Sequence, residues 1–200
     1  MSEHTPATTT TTTTTHRYTL AVIIGSTREG RFAPVIANWF AQHVATHTHI
    51  DLDVIDLDTV RPYELRHGSK EFTAFSERVE AADAFVVLTP EYNHSFPAPL
   101  KHAIDMLNPQ WHAKPVGFIS YGGISGGLRA IEQLRLVFAE LHATTVRETV
   151  SFPLAWNLFD EEGRLHEPEA ATRAADTLLG QLTWWALALR EARTLRPYGA

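Results

Sequence analysis

Five short runs of apolar and β-branched residues recur along the chain, and helically spaced stretches alternate with them. The runs are Tyr18–Ile24, Ile50–Leu57, Ala84–Pro90, Pro115–Gly123 and Thr144–Phe152. "YTLAVII" and "AFVVLTP" are apolar almost throughout, the pattern of strands covered on both faces. Between the runs, apolar positions return every three or four residues. Pro34–His47 places Ile36, Trp39, Phe40 and Val44 on one face, and Lys70–Ala82 does the same with Phe72, Phe75 and Val79. Pro99–Leu107 aligns Leu100, Ala103, Ile104 and Leu107, and Leu128–Leu141 is strongly periodic. Glu167–Arg193 carries Leu178, Leu182, Trp185 and Leu189 as its apolar line. Repeated β-α alternation predicts a parallel sheet with helices on both faces. Right-handed crossovers leave few topologies, and five strands favour a doubly wound sheet of order 2-1-3-4-5.

That order fixes where a ligand belongs. In open α/β sheets it sits beyond the C-terminal strand ends, where strand order reverses, here between strands one and three. The two loops at that point are Gly25–Ala33 and Pro90–Ala98. In "IIGSTREGRFAPVIANWF" an apolar run stops at Gly25, and Ser26 and Thr27 then add hydroxyls. Arg28 and Arg31 add guanidinium forks that match phosphate oxygens. A helix follows, and its first N–H groups have no internal partner, so the loop suits an anion. A phosphate monoester fits best. Gly25 and Gly30 have Walker A spacing, but Arg31 and Phe32 stand where that motif needs Lys and Ser or Thr. The dinucleotide fingerprint G-x-G-x-x-G is absent from this loop. The plain alternative is an ordinary turn with surface arginines.

The third strand leads into "TPEYNHSFPAPLKHAIDML", where Pro90, Pro97 and Pro99 stiffen a polar and aromatic loop able to stack on a flat ring. The fourth leads into "SYGGISGGLRAIEQLR", whose four glycines let backbone N–H groups meet a ligand directly. A Pro-rich surface turn and a flexible helix lead-in are the ordinary readings of these two loops.

Together, Ser26-Thr27-Arg28, "PEYNHSFP" and the glycine loop look like the NADPH-dependent FMN reductase family of the flavodoxin-like superfamily, over roughly Tyr18 to Leu141. The resemblance implies an FMN site and two-electron chemistry with NADPH or NADH as hydride donor to flavin N5, followed by transfer to a small-molecule acceptor in a ping-pong cycle. It places Ser26 and Arg28 on the FMN phosphate, with Gly30, Arg31, Phe32 and Ala33 closing around it. Arg31 departs from the small residue found in some members. Pro90, Glu91, Tyr92 and Asn93 line the ribityl chain and ring, and Ser120, Tyr121, Gly122 and Gly123 meet the pyrimidine side. No side-chain acid or base is required, because the flavin carries the redox chemistry. A homodimer or homotetramer is implied, and a flavin-dependent monooxygenase is a conceivable consumer of reduced flavin.

Composition narrows the field further. A net charge of −6 argues against nucleic acid or an anionic membrane as the main partner. There is no cysteine, which excludes thiolate chemistry and disulfides and suits a cytoplasmic address. Residues 1–16, with a threonine run, read as a disordered tail before one domain over 17–200, and no run reaches the roughly 18 apolar residues of a membrane span.

Other readings compete. Gly123-Ile124-Ser125-Gly126-Gly127 matches the G-x-S-x-G nucleophile elbow, and Asp160 and His166 follow in hydrolase order, so a serine esterase is one alternative. A flavodoxin-like electron carrier or FMN-binding regulator is another. His43 and His47 have the spacing of a zinc helix, but Val44 replaces the catalytic Glu, so they read as solvated surface histidines and no metal is expected. Trp111, Trp184 and Trp185 read by default as core. Trp111 has a second placement beside the ring, and Trp184, off the apolar line, suits a subunit contact.

Overall fold

In the computed structural model, which describes residues 17–199, five strands form one all-parallel sheet of order β2-β1-β3-β4-β5. They are β1 (Tyr18–Ile24), β2 (Ile50–Asp56), β3 (Ala84–Pro90), β4 (Pro115–Gly122) and β5 (Thr144–Pro153). The expected topology is therefore the one observed. The proposed N-terminal tail lies outside the described residues. Among the described residues no helix is long and apolar enough to cross a membrane.

Six helices cover the sheet: α1 (Ala33–Val44), α2 (Leu57–Val60), α3 (Lys70–Ala81), α4 (Ala98–Asp105), α5 (Leu128–Glu140) and α6 (Pro168–Leu195). Because side chains alternate along a strand, each strand feeds two cores. Leu20, Val22, Val86 and Ile119 point to α1 and α6, whereas Ala21, Ile23, Phe85 and Phe118 point to the face covered by α2 to α5. Gly117 allows α6 its close approach: a Cβ there stands 2.6 Å from Leu178 Cδ1.

Three expectations need correction. The apolar line of α6 runs through Ala175, Leu178, Leu182 and Ala186, and Trp185 is 38% exposed. Seven residues fall about 20° short of two helical turns, so Trp185 lies on the far side of Leu178 from Leu182 and Ala186, off the buried stripe. Trp184, at 64%, is exposed beside it, and the two rings meet edge to face. Second, α1 ends at Val44 rather than His47. The Thr46 hydroxyl donates to the His43 carbonyl at 2.8 Å, offering the backbone an alternative to another helical turn. Third, His43 and His47 are not freely solvated. Their side chains are 14% and 25% exposed and both face Asp176 of α6. Trp111, by contrast, is fully buried between Phe85 and Phe138, and its indole N–H donates to the Ile104 carbonyl.

Candidate functional site

The C-terminal ends of β1, β3 and β4 deliver three loops to one rim, and side chains tie the loops to one another. Ser26, fully buried, shares a hydrogen bond of 2.9 Å with the Tyr92 hydroxyl, joining the first loop to the one after β3. Tyr92 itself stands at the base of a tight reversal. Its N–H donates to Ser95 and its carbonyl accepts in return, while Asn93 and His94 have φ of 51° and 68°. Two successive left-handed residues are the mark of a type I′ turn, which Asn tolerates at its first position.

Glu91 joins the second loop to the third. Its carboxylate accepts the Ser125 hydroxyl at 2.6 Å, the Arg129 guanidinium at 2.8 Å and the Arg129 amide at 3.2 Å. Burial pushes the Glu91 carboxyl up, but these donors together hold it below the usual carboxylate range. The side chain thus caps the first turn of α5 instead of facing the cleft. Ser120 is also drawn inward: fully buried, it donates to the Gly126 carbonyl at 2.7 Å. The glycine loop can fold back onto β4 because Gly127 has φ 88° and any Cβ there stands 2.7 Å from Ser120 Cβ and 2.9 Å from the Tyr121 amide.

The two arginines of the first loop have different places. Arg31 donates to both carboxylate oxygens of Asp56, at 2.6 and 2.7 Å, and to the Ser26 carbonyl at 2.7 Å. Its fork is committed to holding the first loop against the end of β2. Arg28 is exposed, and its guanidinium has no ion-pair or hydrogen-bond partner among the described residues, although its carbonyl accepts the Arg31 amide at 3.1 Å. The amides of Thr27, Arg28, Glu29 and Gly30 likewise find no backbone acceptor there, whereas that of Gly25 reaches Leu88.

These loops enclose a cleft of about 270 Å³ bordered by Arg28, Gly30, Phe32, Pro90, Tyr121 and Trp156. Tyr121 is buried beneath it. Burial raises its phenol to about 12, so it stays neutral across the working range. Trp156 was not found by sequence reasoning. It follows β5 and is 55% exposed. It is brought to the cleft because Leu154, at φ 49°, donates its amide to the Gly122 and Gly123 carbonyls. A lone Trp soon after the fifth strand was the available signal. A larger apolar recess of about 500 Å³ lies between β5 and α6, along Phe152, Leu158, Leu165 and Ala171. It lacks the converging donors of the three loops, so volume alone does not choose the site.

The esterase arrangement is not assembled. Ser125 is bonded to Glu91, and Asp160 accepts the Arg164 side chain and the amides of Glu162 and Arg164. No hydrogen bond joins Ser125, Asp160 and His166 among the described residues.

Comparison with known proteins finds a family and a fold. The family model described as NADPH-dependent FMN reductase matches residues 18–157. An NAD(P)H-dependent FMN reductase of Schizosaccharomyces pombe is 34% identical over 120 residues, covering 54% of this chain and 60% of the relative. A quinone reductase of Pseudomonas putida is 27% identical over 75% of this chain and 86% of the relative. Among solved structures, a flavoenzyme NAD(P)H:(acceptor) oxidoreductase of Paracoccus denitrificans superposes with a TM-score of 0.64 at 21% identity, covering 86% of this chain and 98% of that one.

Proposed function

The chain belongs to the NADPH-dependent FMN reductase family, and we propose that it is an NAD(P)H-dependent oxidoreductase that holds FMN in the cleft between the three loops. The observation that carries this reading is the pairing of an unengaged guanidinium, Arg28, with unpaired loop amides at the N-terminal end of α1. A helix start with free donors and an unpaired cation fits a phosphate dianion. The residues present therefore fit the group. Bound there, FMN supplies two-electron chemistry between NAD(P)H and an acceptor.

The chain's own residues divide the remaining tasks. Arg28 and the amides around Gly30, Phe32 and Ala33 hold the phosphate. Arg31 keeps that loop in place through Asp56, and Ser26 does so through Tyr92. Pro90 and Tyr92 border the cleft, Asn93 follows in the same turn, and Glu91 and Ser120 act from behind by fixing the glycine loop. Nothing lies within 4 Å of a Cβ built on Gly123, so backbone there can approach a planar ring edge.

The acceptor is a small molecule, and the rim favours a planar apolar one of the quinone class. Trp156, which lines the cleft, is 55% exposed, and Leu154 and Ile124 in the neighbouring loops are 41% and 93% exposed. The chain acts in the cytoplasm as a homodimer or homotetramer, an address that suits a protein without cysteine. The exposed Trp184–Trp185 pair supplies one apolar patch for a subunit contact.

The test is anaerobic. Purified protein is supplied with FMN and NADPH, and flavin absorbance is followed before and after a quinone is added. Bleaching followed by recovery, at catalytic rates, supports the proposal. Flavin binding with negligible turnover identifies a carrier, and no binding at all overturns the reading.

A further inference from the structure

We propose that His43, His47 and Asp176 form a binding site for a divalent transition-metal ion of the zinc class, clamping the C-terminal end of α1 to α6. One ligand atom from each lies within 4.8 Å of the others. His43 Nε2 is 2.8 Å from Asp176 Oδ1, and His47 Nε2 is 3.8 Å from the same oxygen. Ligands bound to zinc at about 2.0–2.1 Å in a tetrahedral arrangement stand roughly 3.3 Å apart. The observed separations therefore need only small side-chain movements to close on an ion.

The tautomer of His47 is already set for this. Its Nδ1 lies 3.3 Å from the His43 carbonyl oxygen and 3.2 Å from Thr46 Oγ1, whose own proton goes to that same carbonyl. A carbonyl oxygen only accepts, and so does this hydroxyl oxygen once its proton is directed away, so Nδ1 carries the proton and Nε2 the lone pair. That lone pair faces a carboxylate oxygen, another acceptor, 3.8 Å away. A cation satisfies both. Backbone fixing of the far ring nitrogen is the usual outer support of a metal-bound histidine.

The first histidine is held as well. Trp39 stacks on the His43 ring with an interplanar angle of 9°, and the His43 and His47 rings meet at 60°. When an ion takes the Nε2 lone pair of His43, the proton now shared with Asp176 moves to Nδ1 through solvent. Asp176 is 53% exposed, so the outer side of the site is open to a water ligand. Two imidazoles with one carboxylate select a transition metal over magnesium or calcium, which prefer oxygen donors throughout. His43 lies ten residues beyond Ala33, about 15 Å along the axis of α1 from the loop end. The ion's role is thus to join two helices on one sheet face, and the site is independent of the FMN reading.

The experiment uses the full chain without an affinity tag, freed of metal, and titrates it calorimetrically with Zn²⁺. One ion per chain is expected to bind at micromolar or lower concentration, with a rise in Tm. His47→Gln and Asp176→Asn are each expected to weaken binding by more than the roughly 10–100-fold that an outer support is worth, and to abolish the Tm rise while flavin binding is unchanged. Co²⁺ provides a second readout: a visible ligand-field band that His47→Gln removes. Absence of saturable uptake overturns the proposal and leaves a histidine–aspartate hydrogen bond. Uptake that is unchanged in both variants overturns it too, by assigning the ion to other histidines.

Discussion

The guanidinium of Arg129 lies 2.8 Å from Glu91 Oε1, across the gap between the loops that follow β3 and β4. With the Ser125 hydroxyl and the Arg129 amide on Oε2, Glu91 fixes the start of α5 and the glycine loop before it. Glu91→Gln is expected to cost about 1.5–3 kcal/mol at neutral pH, the usual worth of hydrogen bonds to a charged group. The folded-state carboxyl lies below its unfolded value, so its contribution is present above the unfolded pKa and is lost as pH falls through the folded one. The gap between wild type and variant in urea denaturation should therefore shrink on acidification. A gap that widens at low pH contradicts the assignment.

Arg28 and Arg31, three residues apart, are expected to fail differently. The Arg28 guanidinium has no internal partner, so Arg28→Ala should leave Tm nearly unchanged and weaken FMN binding. Loss of one charge-assisted hydrogen bond is worth about 1.5–3 kcal/mol, or roughly ten- to a hundredfold in Kd. Arg31→Ala removes the bidentate contact to Asp56 and the Ser26 carbonyl, so it should lower Tm as well as affinity. Flavin titration and thermal melts on the two variants decide the matter. Unchanged FMN affinity in Arg28→Ala removes that residue from the site.

Ser125 sits in a nucleophile-elbow sequence, yet its hydroxyl serves a carboxylate rather than a histidine. Ser125→Ala should therefore retain at least most NADPH oxidation, with a modest loss of stability of about 1 kcal/mol for one hydrogen bond. The wild type should not react with a fluorophosphonate probe. Covalent labelling at Ser125 would restore hydrolase chemistry to consideration.

Strand limits were legible where chemistry changes sharply. Tyr18–Ile24 stops at Gly25, and Ala84–Pro90 is observed with the limits expected for it. Sheet order was legible too, because crossover handedness constrains it independently of side-chain detail. The pairings that decide each site residue's task were not. Asp56 lies 25 residues from Arg31, and Arg129 lies 38 from Glu91. Sequence placed Arg31 and Glu91 in the loops after the first and third strands but could not tell a side chain facing the cleft from one turned back to brace a loop. Trp156 escaped notice because Leu154, in a left-handed conformation unfavourable to a branched side chain, redirects the chain after β5. Nothing local in "PLAWN" announces that contact with Gly122.

Lys114 gives the pH test with the clearest sign. It is only 4% exposed, and its ammonium donates to the Val79 and Glu80 carbonyls at the end of α3, at 3.1 and 2.7 Å. Burial lowers its pKa from 10.5 to about 8, against the attraction of Glu80 and Asp83 and with the help of Arg193. Below pH 8 both folded and unfolded chains carry the proton, and the folded state bears the full cost of burying the charge. Between about 8 and 10.5 the unfolded chain holds more protons, so this group makes stability rise with pH. At 1.36 kcal/mol per unit the rise is at most about 3–4 kcal/mol. Lys114→Met loses both carbonyl contacts but has no proton to release. The stability difference, wild type minus variant, should therefore increase from pH 8 to 10.5, which cancels alkaline effects shared by the two proteins. A flat difference would mean that the ammonium keeps an ordinary pKa, and that solvent reaches it between α3 and β4.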